Sequence, residues 1–270
     1  MEPRVVRISV APVKSLGLVH PEEVVLEQGG VVGNRRFWLR DEQGALYAGK
    51  RDGSMMRIRP EWDESTRRLA LAFPDGERVE GVVELGEPVD AELYRLVRPS
   101  HRVVGPWEEA LSRFVGRPLE LLWADDGAVD RSPRGGTVSL VSRASLERLG
   151  EEVGTEDALD GRRFRMLFEI DGVDAHEEDS WIGQEIRIGE ATVTFNGDVG
   201  RCIVTSRDPD TGVVDLPTLV TLAAYRRDGV SESLPFGVYG SVLVPGRVRV
   251  GDIAQRLYSS EWQQPAAAPS

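Results

Sequence analysis

The chain has 270 residues, 40% of them apolar and 29% charged, which suffices for one large domain or two modest ones with a real core. A formal net charge of −12 argues against phosphate-backbone binding as the main task, while leaving room for a small basic pocket around one anionic ligand. A single cysteine excludes an internal disulfide and a four-cysteine iron–sulfur cluster within these residues, and the scattered His20, His101 and His176 do not make a Cys/His zinc site.

Short strand-like runs dominate. Val6, Ile8 and Val10 alternate with polar neighbours in a first strand that Pro12 ends. Residues 37–39 and 46–48 flank a turn, and Leu69, Leu71 and Phe73 alternate again. Pro74, Asp75 and Gly76 then predict a hairpin into 79–83, because Asp-Gly supplies the positive φ that such turns need. Further strands are expected at 93–97, 119–123, 138–141, 164–170, 186–188, 191–195, 238–244 and 248–250. Three helices are predicted. The first follows Pro106, buries Trp107, Ala110, Leu111 and Phe114, and stops at Gly116. The second is capped by Ser142 and the third starts at Pro217. This is the pattern of a mainly β, barrel-like fold with a few short helices. The polar stretch 125–136 predicts a boundary, giving closely packed units at 1–124 and 125–258, with 259–270 as a disordered tail. No basic-then-apolar leader opens the chain and no apolar run reaches bilayer length. With a lone free thiol, this implies a cytoplasmic setting and no membrane span, and the acidic net charge implies no nucleic-acid partner.

The segment from Gly200 to Gly212 sets Cys202 beside Arg201 at what reads as the start of an apolar strand, followed by an Asp-Pro-Asp-Thr-Gly turn. A neighbouring guanidinium favours the thiolate, and a soft sulfur donor suits a soft or high-valent metal. A lone cysteine is more often a small buried hydrophobe, so the residues alone leave both roles open. Lys14 and Ser15, just past the first strand, can hold an anion or form a solvated turn. Arg35 and Arg36 precede an aromatic strand, and Arg162, Arg163 and Arg165 enter an apolar run. A guanidinium fork suits phosphate, and a buried one needs an anionic partner. The acidic run at His176, Glu177, Glu178 and Asp179 reads as a solvated turn rather than a metal cluster.

Taken in order, these segments resemble the MOSC family, and within it the amidoxime-reducing members. The resemblance rests on Pro12-Val13-Lys14-Ser15, Arg36-Phe37-Trp38, the run from Ser142 to Leu146, and Phe164-Arg165. It continues through Glu178-Asp179-Ser180-Trp181, Arg201-Cys202 with Asp208-Pro209-Asp210-Thr211-Gly212, and Phe236-Gly237. It implies an N-terminal β-barrel domain followed by a MOSC domain. It also implies a molybdenum cofactor, Mo-molybdopterin, with Cys202 as the metal ligand. Lys14, Ser15, Arg36, Arg165 and Arg201 would attend the cofactor, and Thr137 and Ser139 extend that set. The implied activity is reduction of small N-hydroxylated compounds of the amidoxime or hydroxylamine type, with electrons from a separate protein, a reductase with its small carrier. The alternative is a non-catalytic carrier of cofactor or of sulfur on Cys202. Leu167 departs from the family's usual asparagine, and an apolar side chain cannot make that amide's hydrogen bonds.

Overall fold

A computed structural model describes residues 2–93, 96–129, 137–155 and 159–257. The expected tail at 259–270 and residues 130–136 of the expected boundary stretch lie outside the described residues. From the N-terminus run β1 (Arg4–Ile8), β2 (Glu23–Glu27), β3 (Gly30–Val31), β4 (Phe37–Asp41) and β5 (Leu46–Tyr47), then a 3-10 turn at Gly53–Arg57. A meander of β6 (Arg59–Asp63), β7 (Arg68–Ala72) and β8 (Arg78–Val82) leads to a long hairpin of β9 (Glu84–Leu93) and β10 (Leu96–Val104). Helix α1 (Trp107–Val115), β11 (Leu119–Ala124), β12 (Val138–Ser142) and α2 (Arg143–Val153) follow. Next come a 3-10 turn at Gly161–Phe164, β13 (Phe168–Asp171), a 3-10 turn at Glu177–Trp181, β14 (Glu185–Ile188) and β15 (Ala191–Gly200). A 3-10 turn at Ile203–Ser206, α3 (Thr218–Tyr225), β16 (Pro235–Val244), β17 (Gly246–Arg249) and β18 (Ala254–Leu257) complete the described chain.

The molecule is mainly β with three short α-helices, as the sequence predicts. The local reasons hold in detail. Gly76 takes φ +93° and its N–H donates to the Phe73 carbonyl at 3.0 Å, closing the hairpin between β7 and β8. Gly116 ends α1 in the left-handed region at φ 78°, and the Ser142 hydroxyl caps α2 by accepting from the Ser145 N–H at 3.1 Å.

Of the expected strand at 93–97, Leu93 ends β9, Leu96 opens β10, and residues 94–95 lie outside the described residues. Two expectations give way. Residues 164–170 begin as the end of a 3-10 turn, because the Asp160 carboxylate caps it by accepting from the Arg162 N–H at 2.9 Å; the strand starts only at Phe168. Cys202 does not open a strand either. The Thr205 N–H and hydroxyl both donate to its carbonyl at 3.0 Å, winding Ile203–Ser206 into a turn.

A seven-stranded sheet has the order β1-β13-β12-β16-β15-β14-β18, with β12 and β13 parallel. A five-stranded sheet runs β5-β4-β11-β10-β9, and two three-stranded sheets run β17-β2-β3 and β6-β7-β8. One core lies on the large sheet around Ile8, Phe168, Phe195 and Val238. Another joins the smaller sheets around Phe37, Leu39, Met55 and Trp107. The two halves interlock. β1 pairs with β13 from Arg4↔Asp171 to Ile8↔Phe168, and β2 pairs with β17 from Leu26↔Gly246 to Glu23↔Arg249. No helix among the described residues is long and apolar enough to cross a membrane.

Candidate cofactor site

The site is assembled from turns at strand ends. Beyond β1, the Leu16 N–H donates to the Val13 carbonyl at 3.2 Å, closing a turn that holds Lys14 and Ser15. This turn is stitched to the segment before β4: Arg35 N–H to Ala11 carbonyl at 2.7 Å, Phe37 N–H to Pro12 carbonyl at 3.0 Å, Lys14 N–H to Phe37 carbonyl at 2.7 Å. The buried Asn34 side chain accepts from the Ala11 N–H at 3.0 Å. Gly49 fits between Ser15 and Val204, where an added Cβ would lie 3.7 Å from the Ser15 Cβ and 3.8 Å from Val204 Cγ2. Opposite stand Arg165, at the end of its 3-10 turn, and Cys202, just past β15.

These segments enclose an open cleft of about 150 Å³. Its walls include Lys14, Ser15, Arg35, Gly49, Lys50, Arg163, Arg165, Arg201, Cys202 and Thr205, and none of its described lining residues is acidic. Ser15 (φ 75°), Arg35 (φ 51°) and Arg165 (φ 54°) all adopt left-handed backbone, although none is glycine. That conformation costs roughly 1–2 kcal/mol per residue, so the fold spends stability to turn these three groups into the cleft.

The electrostatics fit an anion. Burial, and then Arg35 and Arg165, hold the Lys14 ammonium well below its usual range, while the nearby Cys202 sulfur acts in the opposite sense. Burial and then Arg35 bring Arg165 down to about 9. Burial brings Arg201 to about 9 as well, with Cys202 raising it and Arg35 lowering it. Cations crowded this way repel one another and are partly stripped of water, and an anionic ligand relieves both costs. Arg163 is already neutralised by the Asp215 carboxylate, bidentate at 2.6 and 2.7 Å. A half-buried thiol among such walls fits a metal-bearing, phosphate-bearing cofactor of the kind the resemblance implies.

Of the residues expected from sequence, the structure brings Lys14, Ser15, Arg165, Arg201 and Cys202 together. Arg36 points elsewhere. Its guanidinium lies 4.3 Å from the centre of the Trp123 ring and donates to the Ala124 carbonyl at 3.1 Å, and of the pair it is Arg35 that lines the cleft. Ser139 is occupied in accepting the Leu167 N–H at 2.9 Å, and Leu167 itself belongs to the large-sheet core. Thr137 sits against Gly30, where its hydroxyl is buried without a partner among the described residues. Neither Ser139 nor Thr137 is among the residues lining the cleft.

The His176–Asp179 run is no solvated turn. Glu178 is fully buried, and its carboxylate accepts from the Ser142 N–H at 3.2 Å and the Ser145 hydroxyl at 2.7 Å, bracing the start of α2. Burial pushes its carboxyl pKa up.

The Asp-Pro-Asp-Thr-Gly turn closes the cleft's flank rather than lining it. Asp208 accepts from the Thr211 N–H and hydroxyl, both at 2.8 Å. Asp210 joins Arg59 at 2.7 Å to Arg162 at 2.7 and 3.0 Å. Gly212 lies so tightly on Gly53 that a Cβ on either would overlap the other's carbonyl. Sequence reasoning did not single out Gly49, Lys50 or Thr205 as site residues; of the Arg35–Arg36 pair it named Arg36, whereas Arg35 is the one that lines the cleft.

Comparison with known proteins agrees with this architecture. Residues 2–104 match the MOSC N-terminal beta barrel domain and residues 132–255 match the MOSC domain. The chain belongs to the MOSC family, with a MOSC N-terminal β-barrel domain followed by a MOSC domain. Among curated relatives, it is 38% identical over 173 residues to mitochondrial amidoxime reducing component 2 of Homo sapiens and 34% identical to that of Macaca fascicularis. Both matches take in 62% of this chain and 48% of the relative. It is also 30% identical over an alignment of 275 positions to the molybdenum cofactor sulfurase of Anopheles gambiae, covering 89% of this chain and 34% of that protein. The matched regions thus span about half the length of these relatives, or less.

Proposed function

We propose that this chain binds a molybdenum cofactor with Cys202 as the protein ligand to the metal, and that it reduces small N-hydroxylated compounds with electrons from a separate protein. The observation that carries the reading is one thiol in a cleft lined by Lys14, Arg35, Arg165 and Arg201, with no acidic group among its described lining residues. Lys14, Ser15, Arg35 and Arg165 would hold the anionic end of the cofactor, three of them turned inward by strained backbone. The reading carries a division of labour: residues 1–124 bring Lys14, Ser15 and Arg35, and residues 125–258 bring Arg165 and Cys202. A reducing compartment such as the cytoplasm would keep the thiol free.

When bound, the cofactor would supply oxygen-atom and electron transfer, which no side chain here provides. Reduction of an N–OH group consumes a pair of electrons and a pair of protons and releases water. The protein's part is to bind, orient and shield the reacting group. Lys50, an exposed residue of the cleft lining, would meet incoming substrate.

Protein made in a host that synthesises the cofactor should contain molybdenum. It should turn over benzamidoxime with a chemical reductant, or with a reductase and its small carrier, and stay inactive with NADH alone. Turnover with NADH alone would reveal a further redox site. No turnover with any donor in fully molybdenum-loaded protein, across several N-oxygenated substrates, would favour a carrier of cofactor or sulfur instead. The likeness to a molybdenum cofactor sulfurase along 89% of this chain supports that second reading.

A further inference from the structure

Two arginines reach the cleft with similar electrostatics and opposite hydrogen bonding. Among the described residues, the Arg165 side chain makes one hydrogen bond, from Nη2 to the Leu16 carbonyl at 2.7 Å. Arg165 lines the cleft. Arg201 is engaged almost completely. Its Nε donates to the Phe236 carbonyl at 2.9 Å, and Nη2 donates to that carbonyl as well. Nη1 donates to the Phe164 carbonyl at 3.1 Å, and Nη2 also approaches the Met166 sulfur at 2.8 Å. A single N–H of Nη1 is left without a protein acceptor among the described residues. The guanidinium carbon lies 5.4 Å from the centre of the Phe164 ring, which itself stacks on Phe236 at 4.5 Å. The backbone adds one more tie, from the Arg201 N–H to the Leu234 carbonyl at 3.1 Å.

We infer that Arg201 is a positioning residue for Cys202 rather than a ligand of the cofactor's phosphate. Its fork joins the end of the 161–164 turn to the start of β16, and both are thereby fixed to the residue that precedes the thiol. The inference deepens the reading given under Proposed function and rests on it. Lysine keeps the charge at this position but cannot span two carbonyls with a rigid fork. An anion-holding role would therefore tolerate Arg201→Lys better than a positioning role.

The test compares Arg201→Lys, Arg165→Ala and Met166→Leu in the full chain, with two readouts. Inorganic phosphate binding to cofactor-free protein, measured by calorimetry, reports the anion site without the metal. Molybdenum retention during dialysis, with the metal centre's absorption band, reports the placement of Cys202. Arg165→Ala should weaken phosphate about tenfold. Arg201→Lys should leave phosphate within about twofold while losing molybdenum faster and shifting the band. Met166→Leu, a volume-conserving change that removes one acceptor, should shift the band in the same direction by less. Phosphate binding weakened as much by Arg201→Lys as by Arg165→Ala overturns the inference, as does an Arg201→Lys protein with unchanged band and retention. Should Arg201→Lys not fold, an unshifted band in Met166→Leu overturns it. Failure of the underlying reading looks different: the unsubstituted chain would then take up no molybdenum, whatever the phosphate results.

Discussion

Two regions of this molecule gather arginines, and they use them in opposite ways. Around Trp123, the guanidinium carbons of Arg36 and Arg67 lie 4.3 and 5.2 Å from the ring centre, beside a T-shaped cluster with Phe37 and Trp62. There the positive charge meets a π face and a backbone carbonyl, so the arginines contribute packing and stability. In the cleft, Arg35 and Arg165 crowd each other and Lys14 around a thiol, an arrangement that favours binding an anion over an empty site. Arg35 and Arg36 are neighbours in sequence yet fall on opposite sides of this contrast. Charge and residue type do not decide which arginine faces the cleft; the direction in which the backbone turns it does.

The largest effect should come from the cleft's centre. Cys202→Ser should abolish turnover and molybdenum retention while leaving the circular dichroism spectrum unchanged, because a hydroxyl fits the space but is a poor soft-metal donor. A serine variant with full metal and full turnover would sink the ligand assignment.

The contrast between the arginine regions predicts a crossed pattern. Arg35→Ala and Arg165→Ala should each lower cofactor occupancy by about tenfold, the loss expected for a charge-assisted hydrogen bond. Arg36→Ala should leave occupancy close to unchanged and cost about 1–2 kcal/mol of stability, read from urea unfolding, through the lost Trp123 and Ala124 contacts. Occupancy lost equally in all three variants would erase the distinction.

The smallest effect lies away from both regions. His176 has two ring nitrogens that are buried without partners among the described residues. Burial, then Arg226 and Arg148, lower its pKa from 6.5 to about 4. Between these values the unfolded chain takes up a proton that the folded chain refuses. Stability is therefore lost as pH falls from 6.5 toward about 4. Replacing His176 by Asn should flatten the fall in urea midpoint over this window. Identical pH profiles for both proteins would refute the assignment.

Much of the fold was legible in the sequence because its signals are local. The Asp75–Gly76 turn, the Ser142 cap and the Gly116 stop each act through a neighbouring hydrogen bond or one backbone angle. The departures came where a local polar contact defeated an apolar run, as at Asp160 and Thr205. The candidate cleft was legible through Lys14, Arg165 and Cys202, which stand within recognisable motifs and line it. That Arg35 rather than Arg36 faces it was not, because a left-handed φ at a non-glycine residue leaves no mark in composition. Glu178 misled for a related reason: acidic runs are usually solvated, and only the hydroxyl and N–H of a distant helix start make its burial tolerable.

The exchange of β1 and β17 between the halves bears on how the chain reaches its native state. β1 has its ladder on β13, and β2 has its ladder on β17, so each half supplies strands that the other must receive. Neither the seven-stranded sheet nor the β17-β2-β3 sheet is complete until residues far apart in the chain have met, which raises the contact order and predicts slow folding. A chain severed between β11 and β12 would leave two fragments with unpaired strand edges, prone to aggregate when alone and able to complement each other when mixed.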